Sequence, residues 1–157
     1  MNLRSEIEAF WRRFLFVKGL DKSVRWQDCF HFDATPAGAE RALGLTLSGV
    51  KRATVTSLTA FQQRGLRPPR RGDLSIVTTW EGVPRCVIQT VNVLILPYSA
   101  VTAEQALWEG EDTTLEGWRI RQRNFLMAEG RELGYVFSPE QQLVFEVFRV
   151  VYEDEMM

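Results

Sequence analysis

One histidine and two cysteines in 157 residues are too few for the usual zinc-ligand sets. His31 stands alone and Cys29 and Cys86 form no Cys-x-x-Cys pair, so no metal or cofactor is expected, and His31 reads as a packed side chain rather than a catalytic one. No apolar run approaches the ~20 residues of a membrane span. Met1-Asn2-Leu3-Arg4-Ser5-Glu6 also lacks the charged-then-apolar layout of a secretory leader, so a cytoplasmic protein with no membrane partner is expected. Repeats and low-complexity tracts are missing. A net charge of −1 gives the molecule no basic field for long nucleic acid, and any such binding must rest on a local patch.

What is present is enough for one core: 45% of the residues are hydrophobic, and a single domain over 1–157 is expected. Ile7, Phe10, Trp11, Phe14 and Leu15 recur at helical spacing up to Gly19, forming a helical extension at about 1–33 whose Trp11 reads as core. Leu20 to Asp33 reads as irregular. Thr35-Pro36 has the form of an N-cap with proline in the first helical position, opening a helix that ends by Gly49. Strands are expected at Thr54-Val55-Thr56, Leu74 to Trp80, Arg85 to Leu96 and Leu143 to Tyr152, the last central because it is apolar on both faces except for Glu146 and Arg149. In the second strand of the hairpin Val87, Val91, Val93 and Ile95 are assigned one face, Ile88 and Leu94 the other. Thr102 with Gln105, and Thr113 with Glu116, read as capping boxes for a short helix ending near Trp108 and a long one ending at Leu133 before Gly134. The long helix has a buried stripe of Leu115, Trp118, Phe125, Leu126 and Leu133. Glu153-Asp154-Glu155 is expected to fray.

Three places carry chemical promise. Lys51 and Arg52 lie on a helix-to-strand turn, with Thr54 and Thr56 on one strand face; they are either a site or a charge complement to the helix end. Arg64, Arg67, Arg70 and Arg71 crowd a proline-stiffened loop that is either a phosphate patch or a solvated connection. Glu109-Gly110-Glu111-Asp112 beside Trp108 is an acidic turn before a helix N-terminus. Asp112 suits the helix dipole, whereas Glu109 and Glu111 precede the first turn and suggest a shaped loop. Arg119 and Arg123, one turn apart, are a phosphate contact or solvated charge.

Gly49-Val50-Lys51-Arg52-Ala53-Thr54 resembles the Gly-x-Lys-x-x-Thr signature of the ASCH domain family, within the PUA-like superfamily. Arg71-Gly72-Asp73-Leu74, Glu109-Gly110-Glu111-Asp112, Trp118-Arg119 and the strand Phe145 to Tyr152 follow in the family's order, so the resemblance covers about Phe32 to Tyr152. It implies an α+β fold, a PUA-like β-barrel of about five to six mostly antiparallel strands with flanking helices. It also implies a cleft, lined by the turn at Gly49, for RNA or a modified nucleoside. Some members are similar to amidohydrolases acting on acylated pyrimidine nucleosides and others to ribonucleases, while a non-catalytic RNA-binding or regulatory module is the alternative. By the amidohydrolase branch the catalytic set is Lys51, Thr54 and Glu111, with lysine taking the threonine proton; Gly49, Arg52, Thr56, Arg70, Arg71, Trp108, Glu109, Arg119 and Arg123 are the binding candidates. That branch carries arginine where this chain has Thr56. Longer bacterial members often carry a histidine where Gln122 stands, which excludes acid–base work by histidine there. Natural ligand and oligomeric state stay open.

Overall fold

In the computed structural model, which describes residues 2–154, the aromatic face read from the sequence belongs to α1 (Leu3–Lys18), closed by Gly19 at φ 65°. Phe10, Trp11, Phe14 and Leu15 are buried against Ile76 and Val87, and the Trp11 indole donates to Val24 O at 2.9 Å. Trp11 is core. No described helix is long and apolar enough to cross a membrane.

Five strands form one curled, half-barrel sheet in the order β1-β3-β4-β5-β2. These are β1 (Asp28–Phe30), β2 (Ala53–Ser57), β3 (Leu74–Thr78), β4 (Pro84–Pro97) and β5 (Gln142–Glu153). Every pairing is antiparallel except β1 with β3. β5 lies between β4 and β2, in the interior position its two apolar faces predict. Segment 20–33 is not wholly irregular, since it contributes β1; a strand of Asp28-Cys29-Phe30 is too short to display a period of two. The face assignment in β4 holds only at its start. Val87 and Ile88 are buried in different clusters as assigned, but register shifts at Val87/Ile88 and Thr90/Asn92 break the alternation further along and leave Val91 and Ile95 exposed.

Helix α2 (Pro36–Leu47) starts at the expected cap, where Thr35 accepts from Gly38 N. Helix α3 (Leu58–Arg64) has no counterpart in the sequence reading, because one buried residue, Phe61, leaves no stripe. Helix α4 (Ala103–Glu109) carries the full Thr102/Gln105 capping box. Helix α5 (Leu115–Leu133) is capped one residue later than expected, by Thr114 accepting from Gly117 N rather than by Thr113. Its buried residues are Trp118, Gln122, Leu126 and Gly130, so the stripe admits a polar side chain. At the C-terminal end Glu153 still belongs to β5 and Asp154 pairs with Arg13 at 2.6 Å, so neither frays; Glu155 lies outside the described residues.

Candidate functional site

The turn that leaves α2 is drawn tight by Val50 N and Lys51 N, which both donate to Leu45 O, and by Gly49 at φ 82°. Arg52 then ties the turn to its neighbours through its backbone, its N–H donating to Trp108 O at 2.8 Å and its carbonyl accepting from Phe148 N at 3.0 Å. The Arg52 side chain is exposed. Lys51 turns inward, with a side chain only 1% exposed.

Its ammonium Nζ lies 2.9 Å from Glu111 Oε2, 3.2 Å from Glu109 Oε2, 2.8 Å from Ala53 O and 3.3 Å from Glu109 O. The Phe32 ring centroid is 5.2 Å away. Every hydrogen-bonding partner is an acceptor, which suits three N–H donors and leaves no lone pair for Thr54. No hydrogen bond joins Nζ to the Thr54 hydroxyl among the described residues.

Glu109 is the best-satisfied carboxylate among the described residues. It closes α4, and its Oε1 accepts from Trp118 Nε1 at 2.7 Å, Gln122 Nε2 at 2.9 Å and Arg121 Nη2 at 3.0 Å. Complete burial pushes its pKa up, but Lys51 and Arg121 more than reverse this and hold it below the usual range. Gln122 is thus a clamp on Glu109. Asp112 does not serve the helix dipole alone, since its Oδ2 accepts from Arg121 Nε at 2.9 Å. Arg41 reaches across from α2 to donate to Glu111 O at 2.7 Å.

Beside this network two hollows share part of their lining. One of about 60 Å³ is lined by Glu109, Glu111, Arg121 and Gln122; one of about 230 Å³ by Asp28, His31, Thr56, Arg64 and Glu146. Phe32, Asp33, Thr54, Val55 and Phe125 border both, so Thr54 stands at the junction. Its hydroxyl has no hydrogen-bond partner among the described residues. Asp33 adopts φ 60° there, the one positive φ of a non-glycine residue among those described. His31 is exposed rather than buried, with its ring 4.7 Å from that of Trp80.

Of the residues singled out from the sequence, the structure gathers Lys51, Thr54, Thr56, Glu109 and Glu111. Others lie elsewhere. Trp108 packs on Phe145 in the core, and Gly49 only shapes the turn. Arg119 and Arg123 are exposed on the far side of α5, because the helix aims Arg121 at Glu109 and residues two positions away point elsewhere. In the arginine loop Arg67 grips Asp73 through both terminal nitrogens and Arg64 pairs with Asp28 at 3.5 Å, while Arg70 and Arg71 are exposed. Arg121, Gln122, Asp28, Asp33 and Glu146 were missed as site residues. The one signal for Glu146 was an acid in a strand apolar but for it and Arg149.

The ASCH domain family matches residues 28–152. A solved protein from Enterococcus faecalis V583 is 30% identical over 94% of this chain and 88% of that chain, with a TM-score of 0.86. The ASCH domain from Lactobacillus crispatus JV V101 is 31% identical over 94% of this chain and 96% of that one, with a TM-score of 0.81. No curated protein matches the chain.

Proposed function

The chain belongs to the ASCH domain family, and on that premise we propose that its paired hollows bind RNA or a modified nucleoside, with Thr54 as nucleophile in the hydrolytic form of this reading. The observation that carries it is the Thr54 hydroxyl, without a hydrogen-bond partner among the described residues, in a hollow that Glu109, Glu111 and Arg121 also line, two of these being held by the buried Lys51. In an acyl transfer Thr54 Oγ1 bonds to the carbonyl carbon, the carbon–nitrogen bond breaks, and the departing amine takes a proton; water then cleaves the threonine ester. Arg121, a cation lining the smaller hollow, lends positive potential to a developing oxyanion, while the buried Lys51 fixes both glutamates.

Purified protein incubated with acetylcytidine and with short RNAs, followed by chromatography of the products, tests the hydrolytic form. Turnover lost in Thr54→Val and Lys51→Ala is expected. No turnover with either substrate, or turnover unchanged in Lys51→Ala, removes it. One observation favours the second reading, a binding module without chemistry: Lys51, Glu109, Glu111 and Arg121 are engaged with one another, as in a structural ion-pair network. That reading requires salt-dependent affinity for single-stranded RNA, and affinity indifferent to salt eliminates it.

A further inference from the structure

Glu146 on β5 pairs directly with Thr54 on β2, so both side chains rise from one face of the sheet, with Cβ atoms about 4.5–5.5 Å apart as in any directly opposed antiparallel pair. Both line the larger hollow. Glu146 is only 8% exposed, yet it enters no ion pair among the described residues. Thr90 Oγ1 donates to its Oε2 at 2.7 Å, and Oε1 has no partner there. Glu109 and Glu111, by contrast, are engaged by Lys51 and Arg121.

The charged and titratable groups facing Glu146 leave it unneutralised. Asp28, His31, Asp33 and Arg64 share its hollow, with Arg67 and Asp73 beyond; Arg64 is paired with Asp28 and Arg67 with Asp73. Burial raises the carboxyl to about 7, with Asp73 and Asp28 adding to this and Thr90 opposing it. A carboxyl so placed is shared between its two forms at neutral pH.

We propose that Glu146 is the proton-exchanging group of the hollow, working on the Thr54 hydroxyl or on a ligand atom lodged between the two. This rests on the reading of the hollow as the ligand site. In acyl transfer, the Thr54 proton passes to Glu146 Oε1 as Oγ1 bonds to the carbonyl carbon. The same proton then goes to the departing nitrogen as the carbon–nitrogen bond breaks, and water cleaves the threonine ester to restore the hydroxyl and release the acid.

Carbon-13 titration of the Glu146 carboxyl in the full chain tests the proposal without any ligand. A midpoint near 7 is expected in the wild type, raised in Thr90→Val, raised by at least about 0.3 in Thr54→Val, and retained in Thr54→Ser. A midpoint in the ordinary carboxylate range overturns the proposal. So does a Thr54→Val midpoint that stays put while Thr90→Val moves, the pattern of an acid serving Thr90 alone. Calorimetry at pH 7 with an eight-nucleotide single-stranded RNA, in two buffers of different ionisation heat, supplies the second readout. Proton exchange in the wild type and none in Glu146→Gln is expected, and proton-neutral binding in the wild type overturns the proposal. If RNA fails to bind while the titration stays linked to Thr54, the ligand reading falls and Glu146 stands.

Discussion

Lys51 Nζ and Glu111 Oε2 meet at 2.9 Å across sixty positions of sequence. The turn after α2 and the loop after α4 are thereby one charged unit, and Glu109 completes it from the last position of α4. Long-range pairing of this kind inside a protein is expensive to break from one side, because the abandoned partner stays out of water.

Lys51→Ala leaves Glu109 buried with Arg121 as its remaining cation, and a loss of about 3–5 kcal/mol in unfolding free energy is expected. Lys51→Met with Glu109→Gln should recover part of it, since neither then carries a buried charge. Urea denaturation of the three proteins decides this. Equal stability of wild type and Lys51→Ala contradicts the account.

Gly110→Ala should be more harmful than Gly49→Ala although both glycines have positive φ, 74° and 82°. A Cβ on Gly110 meets Val50 O at 2.6 Å and Lys51 Cα at 2.9 Å, whereas one on Gly49 finds nothing within 4 Å. Gly49→Ala is expected to cost about 1 kcal/mol, from conformational strain alone. Gly110→Ala also has to push the acidic loop off the lysine turn. Thermal midpoints rank the pair, and the reverse order refutes the packing argument.

How much of this was legible differs by element. The helix caps at Thr35 and Thr102 and the interior position of β5 follow from local chemistry and from the apolar pattern, and the structure has them. β1 and α3 escaped because three residues hold no period and a single buried Phe61 makes no stripe. In the site, Lys51, Thr54 and Glu111 were marked by the resemblance. Glu146 and Arg121 were not, because one depends on strand register and the other on which side of α5 meets Glu109. Neither is local information.

The arginine loop should divide by variant. Arg67 holds Asp73 at 2.8 and 3.0 Å and Gln27 at 2.8 Å, so Arg67→Ala is expected to lower stability by about 1 kcal/mol, a figure kept small because the side chain is a third exposed. Arg70 and Arg71 are exposed. Changing both to alanine should leave stability unchanged and reduce the salt slope of RNA affinity by about 0.7 for each phosphate that the loop no longer neutralises. Filter binding across a salt series, with a urea midpoint as control, separates the two effects. An Arg67→Ala protein as stable as wild type removes the clamp.

Glu109 and Glu146 should make stability depend on pH in opposite senses. The fold holds Glu109 below its ordinary value of 4.5, so its contribution is complete above 4.5 and is lost as pH falls through the lower folded value. Glu146 is raised from 4.5 to about 7, so the fold keeps a proton that the unfolded chain has released. Its contribution is complete below 4.5 and is lost as pH rises to about 7, beyond which it stays constant. At about 1.4 kcal/mol per pKa unit, the full change is on the order of 3 kcal/mol. Glu146→Gln keeps an acceptor for Thr90 and removes the titration. Urea midpoints between pH 4 and 8 should therefore converge at low pH and separate toward neutral pH, the variant holding its stability while the wild type declines. Parallel curves for the two proteins mean that Glu146 ionises as an ordinary carboxylate.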